Sequence, residues 1–141
     1  MIEVLLVEDD ALDADLILRS FDDVGSDKHF AHVVDGRAAV NYLYRHAPYE
    51  DSIRPNLILL DLNLPKLNGW EVLEIIKSDP HLADIPVIIL TSSDRIDDIK
   101  KAYNLHANAY LVKQINMLAF AETAEIVERF WFNAVKLPDD N

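Results

Sequence analysis

Cysteine is absent from the 141 residues, which excludes disulfides, thiolate metal ligands and a thiol nucleophile. Glycine is scarce, confined to Gly25, Gly36 and Gly69. None of these is followed by lysine, so no P-loop exists, and no Gly-x-Gly-x-x-Gly stretch marks a dinucleotide site. Positive charge is short as well: 13 Lys and Arg stand against 25 Asp and Glu, a net charge of -12. That balance repels a phosphate-rich duplex, so nucleic acid is not an expected partner. Apolar runs last only a handful of residues, well short of the ~20 that a membrane span needs. The opening Met1-Ile2-Glu3-Val4 lacks a basic region followed by a long apolar one, so no signal peptide is visible. The expectation is a soluble, cytoplasmic chain that does not engage a membrane.

Half of the residues are hydrophobic, enough to fill the core of one compact domain. Short β-rich runs alternate with segments of helical period, five times over. Ile2 to Val7 reads as a strand, followed by a helix over Ala11 to Asp23 with Asp10 as its N-cap and Ala14, Ile17, Leu18 and Phe21 on one face. Phe30 to Val34 reads as a second strand, and Asp35-Gly36 turns into a helix carrying Val40, Leu43 and Tyr44. The continuous Leu57-Ile58-Leu59-Leu60 run suggests a strand buried on both faces. Asn68-Gly69 opens a helix with Val72, Leu73 and Ile76 inward. Val87 to Leu90 forms a fourth strand behind Pro86, and Ile96, Ile99 and Tyr103 mark a fourth helix. Ala109 to Val112 is a fifth strand, and a last helix runs from about Asn116 to Val135. This alternation implies an α/β fold with a doubly wound parallel sheet, in which ligands gather at the carboxyl ends of the strands. Residues 1–135 are expected to form one domain, and 136–141 a short acidic tail.

Polar residues follow four of those strands. Glu8-Asp9-Asp10 follows the first, Asp61 the third, Thr91-Ser92-Ser93 the fourth and Lys113 the fifth. In a doubly wound sheet these ends open onto one edge, so carboxylates converge there with a hydroxyl and an ammonium. Two carboxylates ~5 Å apart repel by roughly 3 kcal/mol at an effective dielectric of ~20. A cation would relieve that repulsion, and a few carboxylate oxygens with room for waters and a phosphoryl group suit Mg²⁺. Thr91 and Lys113 could then donate to phosphoryl oxygens. Taken singly, each feature has an ordinary reading: acidic residues after strands are often caps, and Thr-Ser-Ser is common in turns. It is their coincidence at four strand ends that favours chemistry.

With those residues in place, the chain resembles the receiver domains of response regulators. The resemblance runs through Val4-Leu5-Leu6-Val7-Glu8-Asp9-Asp10, Asn56 to Pro65, Asn68-Gly69, Pro86 to Thr91 and Ala109-Tyr110-Leu111-Val112-Lys113. It implies the flavodoxin-like (CheY-like) five-stranded sheet in the order 2-1-3-4-5, with five helices. It also implies a phosphoacceptor at Asp61, Mg²⁺ held by Glu8, Asp9, Asp61 and the backbone carbonyl of Asn63, and a phosphoryl contact from Lys113. Thr91 and Tyr110 would be the switch pair. Glu8 stands where Asp is commoner in the family. Gln114 stands where most receivers carry a cis proline; a cis peptide without proline costs ~3 kcal/mol, so a trans bond and a re-routed loop are expected. That departure, the Arg54 to Pro65 stretch and the Phe130-Trp131 pair are similar to the phytochrome-partnered response regulators of photosynthetic bacteria. The resemblance thus implies a sensor histidine kinase, a phytochrome, as partner.

On a 3.6-residue wheel the last helix turns Phe120, Ala124, Val127, Trp131 and Ala134 inward, with Phe132 towards the polar arc. Ala119, Ile126 and Phe130 widen the stripe. Two readings stand: these side chains cover the edge of the core, or they form a homodimer interface through Ile126, Phe130, Trp131 and Phe132. His29 and His32, three residues apart in a strand, face opposite sides and are expected to be surface residues rather than a metal pair. A competing class is an aspartyl-phosphate phosphohydrolase, but those enzymes commonly need a second Asp two positions after the first, where this chain has Asn63. A dimeric scaffold that no longer switches is a third reading, opposed by the full set of Asp61, Thr91 and Lys113. The expected protein is a stand-alone signalling module and not a turnover enzyme.

Overall fold

The computed structural model describes residues 1–22, 27–113 and 116–138. Strand β1 (Ile2–Val7) leads to helix α1 (Ala11–Asp22), and β2 (Lys28–Val33) to α2 (Gly36–Tyr44). The pattern repeats with β3 (Leu57–Leu60) and α3 (Gly69–Ser78), β4 (Val87–Thr91) and α4 (Ile96–Asn104), then β5 (Ala109–Val112) and α5 (Met117–Val127). All strand pairs are parallel, in the order β2-β1-β3-β4-β5. Every residue of β3 is buried, as expected for a central strand with helices on both faces. Successive side chains alternate between those faces. On one, Leu5, Val7, Ile58, Leu60, Val87 and Ile89 meet Val72, Leu73 and Ile76 of α3 and Ala102 of α4. On the other, Val4, Leu6, Leu57, Leu59, Ile88 and Leu90 meet Ala14, Ile17 and Phe21 of α1 and Phe120, Ala124 and Val127 of α5. Each large aliphatic side chain so buried contributes roughly 1.5–3 kcal/mol of transfer free energy.

Local chemistry sets where the helices begin. The Asp10 carboxylate accepts from the backbone N–H groups of Leu12 (2.9 Å) and Asp13 (3.0 Å), the N-cap expected for α1. Asp35 caps α2 through the Ala38 N–H at 2.7 Å, and Asn68 forms a capping box with Glu71 on α3. The helices also press on the loop after β3. A Cβ at Gly69 would lie 2.4 Å from the Asp61 carbonyl oxygen, and one at Gly36 would lie 1.7 Å from that of Leu67. Only glycine admits either approach.

Two expectations need correction. Strand β2 starts at Lys28 rather than Phe30 and ends at Val33, because Lys28 pairs with Ile2 at the start of β1. The end of the chain departs further. After α5 the backbone widens into a π-helical segment, Glu128–Ala134, with the Val135 N–H bonded to the Phe130 carbonyl at 2.8 Å. The wider turn moves the inward position to Phe132, five residues after Val127. Phe132 is buried 5.7 Å from Phe21 and 6.5 Å from Phe30, measured between ring centroids, whereas Trp131 is half-buried and Ala134 exposed. Phe132 is therefore core, not polar arc and not available as an interface residue. The same turn buries Glu128, whose carboxylate lies 3.3 Å from the Lys28 ammonium. Gln114 and the Asp23 end expected for α1 lie outside the described residues. No helix among the described residues is long and apolar enough to cross a membrane.

Candidate functional site

The parallel register brings the expected strand ends together. Val7 pairs with Leu60, Leu60 with Ile89, and Thr91 with Val112. One more backbone bond continues each ladder past the strand: Glu8 N–H to Val33 (3.1 Å), Asp61 N–H to Val7 (3.1 Å) and Lys113 N–H to Thr91 (2.7 Å). The side chains that follow the strands are thus held as firmly as the sheet itself. Glu8, Asp9 and Asp61 each place a carboxylate oxygen in a group spanning no more than 4.8 Å. Glu8 is 1% and Asp61 5% exposed, while Asp9 is open to solvent and forms the mouth.

Lys113 reaches into this group from β5. Its Nζ lies 2.5 Å from Glu8 Oε1, 3.1 Å from Asp61 Oδ2 and 2.9 Å from Asp13 Oδ2. Burial alone would lower its pKa, but the hydrogen bonds to Glu8 and Asp13 and the charge of Asp61 outweigh that and raise it. Burial pushes the Glu8 carboxyl up to about 7; Asp61's charge adds to the rise, and Lys113 opposes it. With Asp13 counted beside the other three carboxylates, the set carries -4 and +1, or -3, when fully ionised. The raised Glu8 reflects its burial first and the charge of Asp61 second. A divalent cation would offset the net charge, and an all-oxygen donor set suits a hard one. Thr91 Oγ1 is fully buried without a hydrogen-bond partner among the described residues. The Asn63 N–H donates to Asp61 Oδ1 at 3.2 Å, fixing the loop that follows the acid.

Tyr110, half-buried on β5, donates from its hydroxyl to the Ser93 carbonyl at 2.9 Å. The Ser93 hydroxyl in turn donates to Asp98 of α4 at 2.6 Å. Tyr110 is thereby joined to the start of α4 through Ser93. The histidines stay outside. His29 pairs with Glu3 at 2.8 Å on the exposed edge, and His32 bonds the Glu8 carbonyl at 2.8 Å through Nε2. Ile126 and Phe130 are 66% and 54% exposed, so two of the four expected interface residues do face solvent. Asp13 was missed from sequence. Its only signal there is its place on the first turn of α1, four residues after Asp9, which returns its side chain to the sheet edge.

Residues 4–125 match the response regulator receiver domain family. Response regulator Rcp1 of Synechocystis sp. is 44% identical over 135 residues, covering 96% of this chain and 92% of that protein. The crystal structure of Mn²⁺-bound Rcp1 superposes with a TM-score of 0.93 at 42% identity, covering 99% of this chain and all of that one. The crystal structure of the phosphorylated cyanobacterial phytochrome response regulator RcpA superposes with a TM-score of 0.92 at 41% identity, over 97% of this chain and 98% of that one. The five-stranded order seen here is the one those structures share.

Proposed function

The chain belongs to the response regulator receiver domain family, and from that premise we propose that it accepts a phosphoryl group on Asp61 from a sensor histidine kinase, a phytochrome, and signals through Thr91 and Tyr110. The observation that carries this is the buried Asp61 carboxylate held at 3.1 Å by a lysine ammonium, with a buried threonine hydroxyl at the end of the adjacent strand that lacks a partner among the described residues. An Asp61 oxygen bonds to phosphorus as the bond from phosphorus to the donor histidine nitrogen breaks. The electron pair stays on that nitrogen. A carboxylate attacks without first losing a proton, so the site needs no general base.

Mg²⁺ would be held by Glu8, Asp9 and Asp61, whose carboxylate oxygens group within 4.8 Å, together with the Asn63 carbonyl that the family resemblance adds. When bound, the ion neutralises charge shared between the carboxylates and the phosphoryl oxygens. Lys113 turns N–H donors from carboxylate to phosphoryl oxygen. Thr91 gains the acceptor it lacks, and Tyr110 follows with the Ser93–Asp98 connection to α4. Turnover of external phosphoesters is not part of this reading, since Asn63 stands where a phosphohydrolase would place its second acid. Residues 1–135 act as the receiver and 136–141 as a tail. A second copy docks on the exposed Ile126 and Phe130 with Trp131 beside them; nucleic acid is not a partner.

Borohydride reduction tests the acceptor. It converts an acyl phosphate to an alcohol, and peptide mapping after reaction with acetyl phosphate should place the reduced residue at position 61. Mapping to Glu8 or Asp9 would move the acceptor off Asp61.

A further inference from the structure

Lys113 has a partner that the carboxylate cluster does not include. Asp13 sits on the first turn of α1, which the Asp10 cap fixes against the sheet edge, and its Oδ2 accepts from Lys113 Nζ at 2.9 Å. An ammonium has three N–H donors. Here they are matched by oxygens of Glu8, Asp13 and Asp61. Glu8 and Asp61 also belong to the group able to hold a cation, and Asp13 does not. Oxygens drawn towards a cation are weaker acceptors for Lys113, which leaves Asp13 as the partner that persists. Lysine needs such an anchor, because its charge rides on a flexible four-carbon stem with rotatable donors. The Asp13 side chain is 42% exposed and that of Lys113 10%, so the anchor lies at the mouth and the ammonium inside. A pair this open to water adds little to stability. What it supplies is placement.

We propose that Asp13 is a positioning residue for Lys113, holding the ammonium beside Asp61 while Glu8 and Asp61 serve the cation and leaving its other donors for phosphoryl oxygens. The proposal rests on the reading of Asp61 as acceptor. Asp13 touches neither the phosphoryl group nor the cation in this scheme and acts only through Lys113.

The test uses Asp13→Asn and Asp13→Glu, each alone and combined with Lys113→Met, with two readouts. The first is the Lys113 ammonium signal in a proton–nitrogen correlation spectrum recorded with Mg²⁺. The unaltered protein should show an ammonium protected from exchange, Asp13→Asn should lose that protection, and Asp13→Glu should restore part of it. The second is the phosphorylation rate with acetyl phosphate at saturating Mg²⁺. Asp13→Asn should slow it on the order of ten-fold, the scale on which outer-shell partners act. With Lys113→Met already present it should do nothing further, since residues acting through one contact are not additive. An unprotected ammonium in the unaltered protein, or protection that survives Asp13→Asn, overturns the proposal. So does an equal slowing with and without Lys113, or a rate that Asp13→Asn leaves unchanged or raises. An unaltered protein that takes up no phosphoryl group overturns the reading of Asp61 instead, and the ammonium signal then decides the Asp13–Lys113 pair alone.

Discussion

Single side chains at the strand ends explain why the site is poised rather than satisfied. Burial pushes the Glu8 carboxyl up, and Thr91 is buried with a hydroxyl that finds no acceptor among the described residues. Both are unfavourable in the resting protein, and both are relieved by what the site is proposed to bind. Thr91→Val should therefore stabilise the resting fold, by about 1 kcal/mol, because it removes a buried unsatisfied group. The same substitution should shorten the life of the phosphorylated form or uncouple it from Tyr110. Urea unfolding and phosphoryl decay measured on one preparation check both halves; destabilisation of the resting protein would mean that Thr91 already has a partner. Residue identity at these positions was legible in sequence, since each of them directly ends or follows an apolar run. The Asp13 contact was not, because an ion pair across 100 residues depends on how α1 leans on the sheet.

At the scale of elements, the sheet and its helices follow from the pattern of apolar runs and caps. The last helix does not. A wheel drawn at 3.6 residues per turn assigns Trp131 to the core, but the π-helical segment gives that place to Phe132. The preference arises from contacts far away in sequence, Phe21 and Phe30 for Phe132 and Lys28 for Glu128, which no local period records. Phe132→Ala should thus cost about 3–5 kcal/mol, the range for a buried aromatic. Trp131→Ala should cost distinctly less, and the reverse order in urea unfolding would restore the regular helix. Elsewhere, the Tyr44 hydroxyl at the end of α2 donates to Asp79 at the end of α3. That bond pushes the Tyr44 phenol up to about 12 from its ordinary 10, helped by burial, and lowers the Asp79 carboxyl below 3.8. The sign follows from each group. A raised phenol contributes stability that is complete below pH 10 and lost as pH climbs to 12. A lowered carboxyl contributes stability present above pH 3.8 and lost on further acidification. Asp79→Asn should return the Tyr44 ionisation, followed by tyrosinate absorbance, towards its ordinary value; an unmoved titration would show that Asp79 is not the cause.

Over the whole molecule, charge and exposed surface set the terms of association. The net charge of -12 favours a dispersed chain, and a phosphoryl group would add roughly -1.5 to -2. Ile126 and Phe130 are exposed apolar side chains on the last helical stretch, with Leu118 exposed at its start. Removing everything from Phe130 onwards would also delete Phe132 from the core, so point substitution is the cleaner probe. Ile126→Ser with Phe130→Ser should shift sedimentation towards monomer without lowering the melting temperature appreciably, and an unchanged dimer would place the interface elsewhere. The central claim is a phosphoryl group on Asp61 that depends on a divalent ion. It is tested most directly by intact mass after incubation with acetyl phosphate and Mg²⁺, beside an Asp61→Asn control and a chelated sample. The expected result is one phosphoryl mass gain in the unaltered protein alone. A gain that survives Asp61→Asn or chelation, or no gain in a folded protein with Mg²⁺ bound, would contradict the account.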